Sequence, residues 1–115
     1  MSDLIELRDL MRSFTDERDW AKFHDPKSLL LALVGEVGEL AELFQWLPSN
    51  RAEEIARTHP LDARVREELA DVLLYLVRLA DVLDVDLAAA SREKLLRAGE
   101  RFVAGDGAGV APSKA

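Results

Sequence analysis

The chain carries apolar residues at spacings of three and four, in stretches separated by short polar breaks, and it has no segment of strict two-residue alternation. Leu4, Leu7, Met11 and Phe14 form one such stripe, which predicts a first helix over about Asp3 to Arg18. Residues 19–25 read as a connection in which Trp20 and Phe23 either pack or meet a ligand. Asp25 followed by Pro26 marks a helix start: the carboxylate can cap, and proline suits the first helical position. The second helix then runs to about Leu47 and stops at Pro48. In the polar loop over 48–60, Asn50 and Glu53 have the spacing of a capping box, which predicts a short helical segment near Arg51 to Arg57. A third helix is expected from Leu61 to Leu83, with Val65, Leu69, Val72, Leu73, Leu76 and Leu79 on its apolar face. The "DVD" at 84–86 breaks the period, and Asp86 can cap a fourth helix from Leu87 to about Phe102. The fold class is therefore all-α, a four-helix bundle.

Residues 104–115 are rich in Gly, Ala and Pro and poor in large apolar side chains, so a disordered tail is expected there. That leaves 1–103 as a single domain, in keeping with a length of 115 residues. Leu29, Leu30, Leu31, Leu33 and Val34 cover nearly the whole circumference of the second helix. A four-helix monomer cannot bury all of them, and surplus apolar surface marks an interface, so an oligomer is expected.

Charge narrows the range of partners. The net charge is −7, and the longest basic cluster, Arg92 to Arg101, is interrupted by Glu93 and Glu100. No basic face is available for a nucleic-acid polymer. The absence of cysteine excludes a disulfide scaffold and thiolate-bound metal and is compatible with a reducing cytosol. The first twelve residues mix charges into every turn, and the apolar run at 29–34 is too short to span a bilayer. A cytoplasmic location without a membrane partner is the expectation.

The candidate chemistry lies in "LALVGEVGELAELFQW", residues 31–46. Glu36 and Glu39 are three apart on one helical face, among Leu33, Val34, Val37 and Leu40. Glu68 and Asp71 repeat the spacing on the third helix, among Val65, Leu69, Val72 and Leu73. If the two helices pack antiparallel, the pairs can converge. Carboxylates meeting in an apolar groove either take up protons or bind a cation. Alternatively, each pair lies on a solvated face, neutralised by Arg or Lys, the reading that also suits Glu42, Glu67 and Asp81. All-oxygen ligation favours Mg²⁺ or Mn²⁺. A di-iron site of the ferritin kind needs Glu-x-x-His elements, and neither His24 nor His59 supplies one. Gly35 and Gly38 flank Glu36; they either leave room for a metal and phosphates or allow close helix contact.

Residues 36–46, "EVGELAELFQW", and 67–79, "EELADVLLYLVRL", closely resemble the MazG-like all-α nucleoside triphosphate pyrophosphohydrolases, and within them the dCTP pyrophosphatase branch. The shared pattern is Glu-x-x-Glu on one helix and Glu-x-x-Asp on a later one; the resemblance covers about residues 10–96, including "ERDWAKFHDPKSLLLAL" at 17–33. It implies hydrolysis of a nucleoside triphosphate substrate between its α- and β-phosphates, giving a monophosphate and pyrophosphate. It also implies Mg²⁺, or Mn²⁺, held by Glu36, Glu39, Glu68 and Asp71, and a homodimer or homotetramer built as a dimer of dimers. Water activation falls to the metal or to one of the ligand glutamates, Glu36 or Glu39. Trp20, Trp46 and Tyr75 match aromatic positions near the nucleotide, and Lys94 matches a lysine that faces the phosphates. The chain departs from its relatives after Lys94, where their asparagine and Tyr-Pro pair are replaced by Ala98, Phe102 and Val103. It also has Gly35 where some dUTP-cleaving relatives place a further glutamate. The rival readings are a phosphoribosyl-ATP pyrophosphohydrolase, which the aromatic set and "ELFQW" disfavour, and a non-catalytic helical dimerisation or nucleotide-sensing module.

Overall fold

Asp25 and Asp86 begin the second and last long helices as their positions predict. The Asp25 carboxylate accepts the Ser28 backbone N–H at 2.9 Å and the Ser28 hydroxyl at 2.7 Å, and Asp86 accepts the Ala89 N–H at 3.0 Å. The computed structural model describes residues 3–102, 104, 105 and 109. Its helices are α1 (Asp3–Glu17), α2 (Pro26–Phe44), α3 (Ala52–Ala56), α4 (Leu61–Val82) and α5 (Leu87–Arg101), with a 3₁₀ turn at Ala21–Phe23 between α1 and α2. Among the described residues there is no strand. Most of the expected tail at 104–115 lies outside the described residues.

The helix limits differ from expectation at two places. The N-cap of α3 is Arg51, and no side chain caps it, so the Asn50–Glu53 box does not form. At the other end of α2 the helix stops at Phe44, because Gln45 to Leu47 close turns before Pro48. Two helix ends are alike. After α1, Trp20 N–H reaches Thr15 C=O and Asp19 N–H reaches Asp16 C=O; after α4, Val85 N–H reaches Ala80 C=O and Asp84 N–H reaches Asp81 C=O. Both are Schellman closures, and both place an aspartate in the left-handed region where glycine is usual, Asp19 at φ 54° and Asp84 at φ 56°. Asp84→Gly is accordingly expected to stabilise the fold by about 0.5–1 kcal/mol, a rise in Tm of a few degrees. An unchanged or lower Tm in a thermal melt would count against that assignment.

Helix α4 is the hub: α2 packs along it, with α1 and α3 on its other sides, whereas α5 packs extensively on none of them. His24, just before α2, bonds Arg78 near the end of α4, while Glu36 and Glu39 meet Glu68 further along, so α2 and α4 run antiparallel. Among the described residues the buried apolar ones are few: Leu29, Ala56, Val77 and Ala80. Of the apolar face expected on α4, Leu69, Leu73 and Leu76 are exposed, and the residues buried instead are Val77, Arg78 and Ala80. Periodicity could not choose between these faces because α4 is apolar on several sides. The Cα radius of gyration is 17.4 Å, larger than the ~13 Å of a compact chain of this length.

Candidate active site

Antiparallel packing of α2 on α4 brings carboxylates from both helices together. One ligand-capable oxygen from each of Glu36, Glu39 and Glu68 lies within 4.8 Å of the other two. Glu36 and Glu68 are half-buried and Glu39 is exposed. Asp71 is one turn beyond Glu68 and is not part of this triad, but its charge acts on both Glu36 and Glu68.

The electrostatics follow from crowding. Burial is the largest influence on Glu36, followed by the hydrogen bond with Glu68 and the charges of Glu39 and Asp71, and together they push Glu36 up to about 7. Glu68 is raised as well, by burial first and then by Glu39 and Asp71, while its hydrogen bond from Glu36 acts in the opposite sense. Burial and neighbouring charge thus push both carboxyls of the pair up, so the pair takes up a proton more readily than free carboxylates do. One oxygen of each, Oε2, is buried and accepts no hydrogen bond. Unpartnered buried carboxylate oxygens, surrounded by like charge, are donors suited to a hard divalent cation. The residues present fit such an ion.

A pH dependence follows. Unfolded, Glu36 titrates near its ordinary 4.5; folded, near 7. Between those values the folded chain retains a proton that the unfolded chain has lost, so this contribution to stability is present below 4.5 and lost as pH rises through 7. Metal-free protein is expected to melt at a lower temperature at pH 8 than at pH 6, and Mg²⁺ should remove most of the difference by taking the proton's place. Equal melting temperatures in the absence of metal would show that the cluster is not electrostatically strained.

Gly35 and Gly38 border this cluster, and a methyl group added at either would meet nothing within 4 Å. Close contact between helices of one chain therefore does not require them. They leave a bare strip of α2 beside Glu36.

The other residues singled out by sequence are dispersed. Trp20 sits edge-on to Phe14 at 5.8 Å between ring centroids, and the Arg18 guanidinium lies 3.7 Å from the Phe14 centroid. Trp20 is half exposed, Tyr75 is half-buried two turns beyond Glu68 on α4, and Trp46 is 86% exposed. Lys94 is exposed on α5, and among the described residues no ion pair or hydrogen bond joins it to the carboxylates. A single chain therefore brings together the acidic triad, while Trp46 and Lys94 stand exposed on its surface.

Sequence reasoning missed one polar group at the centre of the fold. Arg78 is only 7% exposed; its Nε–H donates to His24 Nδ1 at 3.0 Å and its Nη1 to Asp81 Oδ2 at 3.3 Å. Arg12 of α1 binds Asp81 through two further hydrogen bonds. His24 and Arg78 are fifty-four positions apart, so no local spacing links them. The available signal was an arginine among the apolar positions of α4.

An all-α bundle whose central helices pool carboxylates offers a place for a divalent cation. The profile of the MazG nucleotide pyrophosphohydrolase domain matches residues 24–97. The chain is 53% identical over 87 residues to bovine (Bos taurus) dCTP pyrophosphatase 1, covering 76% of this chain and 52% of that protein. It is 50% identical over 92 residues to the human (Homo sapiens) dCTP pyrophosphatase 1, covering 80% and 54%. The chain thus spans about half the length of these curated relatives. A pyrophosphatase from Archaeoglobus fulgidus has the same fold, with a TM-score of 0.81 and 36% identity over 90% of this chain and 94% of that one. The chain belongs to the MazG nucleotide pyrophosphohydrolase family.

Proposed function

We propose that the chain is a Mg²⁺-dependent nucleotide pyrophosphohydrolase that cleaves (deoxy)nucleoside triphosphates to the monophosphate and pyrophosphate, serving to clean the nucleotide pool. The observation that carries this reading is the convergence of Glu36, Glu39 and Glu68 from two helices, with two buried oxygens that lack hydrogen bonds. Asp71, at the next turn of α4, is the fourth candidate ligand; Mn²⁺ is an alternative ion for the same oxygens. Held by these carboxylates, a bound ion would neutralise charge on the triphosphate and lower the pKa of an attacking water. One of the ligand glutamates, Glu36 or Glu39, would take up the proton released by the attacking water. The 50% identity to human dCTP pyrophosphatase 1 makes dCTP and its modified forms the first substrates to try. Trp20, Tyr75 and Trp46 would stack on the base.

The same reading includes a homodimer or homotetramer. Leu30, Leu31, Val34 and Val37 of α2 and Leu95 and Leu96 of α5 are exposed in one chain, and α5 packs extensively on no helix of its own chain. A second copy would cover them and would carry Lys94 and Trp46 to an acidic triad. A panel of triphosphates with and without Mg²⁺, assayed for pyrophosphate, tests the reading. Mg²⁺-dependent pyrophosphate release from at least one of them is expected. Its absence from all of them would overturn the enzymatic reading and leave the binding-module alternative.

A further inference from the structure

The turn between α1 and α2 is built mostly from local bonds. Trp20 N–H reaches back to Thr15, Phe23 N–H to Trp20 and His24 N–H to Ala21. Among the described residues, the one hydrogen bond that ties residues 19–25 to α4 is that from Arg78 Nε to His24 Nδ1. Arg78 is itself held. Its Nη1 meets Asp81, and Asp81, whose side chain is 10% exposed, is gripped from α1 by Arg12. The hydrogen bonds from Arg12, together with the charges of Arg12 and Arg78, keep the Asp81 carboxyl below the usual carboxylate range. Burial, followed by the charge of Arg78, keeps His24 neutral, with its lone pair on Nδ1 and its proton on Nε2.

A buried arginine is an expensive way to fill this position. Apolar residues of similar size often serve stability equally well, and the best-attested gain from a buried ion pair is a fixed register. Here the register it fixes joins α1, α4 and the turn that bears Trp20 and also leads directly into Asp25, the cap of α2. We infer that Arg78 is a positioning residue for the nucleotide site: braced by Asp81 and Arg12, it clamps His24 and so sets the Trp20–His24 turn as a fixed wall for the base. The inference rests on the reading of the chain as a nucleotide pyrophosphohydrolase with Trp20 beside the nucleotide. The clamp lies in a separate set of residues from the carboxylates, so it acts on substrate binding and leaves the metal site alone.

The test is steady-state kinetics on Arg78→Met, with Mn²⁺ binding followed in parallel. The KM for the best triphosphate should rise roughly 10-fold, the scale of one charge-assisted hydrogen bond. Turnover at saturation should stay within about 2-fold, and Mn²⁺ affinity should be unchanged. Amide hydrogen exchange at residues 19–25 should quicken. A second pair of variants carries the test if Arg78→Met does not fold. His24→Asn places an acceptor oxygen where Nδ1 was and should keep a KM near that of the wild type; His24→Leu should share the arginine variant's defect. An active wild type whose KM is unmoved by Arg78→Met overturns the clamp, and so does an asparagine variant as impaired as the leucine one. A wild-type chain that releases pyrophosphate from no triphosphate overturns the parent reading, and the clamp's role with it, which is a separate and recognisable result.

Discussion

Glu39→Gln is expected to lower kcat/KM for the best triphosphate by on the order of 100-fold or more while the protein stays folded. The size of the effect follows from the geometry. Glu39 is one of three carboxylates that offer oxygens within 4.8 Å of one another, and glutamine keeps its shape while removing a charge that would hold a divalent ion there. The fold should not suffer, because Glu39 is exposed. Its charge is one of those that push Glu36 upward, so its removal relieves repulsion. Metal-free Glu39→Gln should therefore melt at or slightly above the wild-type temperature at pH 8. An active variant, or one that unfolds, would contradict this assignment of Glu39.

Leu95→Glu combined with Leu96→Glu is expected to convert the proposed homo-oligomer into monomers. These leucines are 72% and 67% exposed in one chain, on a helix that packs extensively on none of its own neighbours. Each leucine buried in an interface contributes roughly 1.5–3 kcal/mol. Across a two-fold contact the double change removes four of them, about 6–12 kcal/mol, comparable with the whole free energy of a micromolar complex. Light scattering at micromolar concentration should give a multiple of the chain mass for the wild type and a single chain mass for the variant. Pyrophosphate release should fall with it, since Lys94 immediately precedes these two leucines on α5. A monomeric wild type would contradict the proposed assembly.

The elements of this fold were legible because each has a local cause. Asp25–Pro26 and Asp86 begin α2 and α5 through side-chain caps that a short window of sequence contains. The three-residue spacing of Glu36 and Glu39 and of Glu68 and Asp71 placed each pair on one helical face, and their meeting depended on antiparallel packing of the two helices, which spacing alone left open. What was not legible depends on choices between equivalent faces or on distant pairings. Leu69, Leu73 and Leu76 repeat as regularly as Val77 and Ala80, yet only the latter two are buried in a single chain. The Asn50–Glu53 pattern is right for a capping box, but the chain enters α3 one residue later, at Arg51. The assignment of Asp81 to an ion pair agrees with its contacts to Arg12 and Arg78, although its partners could not be named from spacing. The bond between His24 and Arg78 exists only because α2 and α4 run antiparallel.

The claim on which the rest depends is that Glu36, Glu39 and Glu68 together bind a divalent cation. Electron paramagnetic resonance of Mn²⁺ titrated with the full chain, competed with Mg²⁺, tests it most directly. Bound Mn²⁺ is expected at pH 8, displaced by Mg²⁺, weakened at pH 6 as Glu36 takes up its proton, and lost in Glu36→Gln. Mn²⁺ that remains free in the presence of the wild type, or that binds Glu36→Gln equally well, would contradict the account.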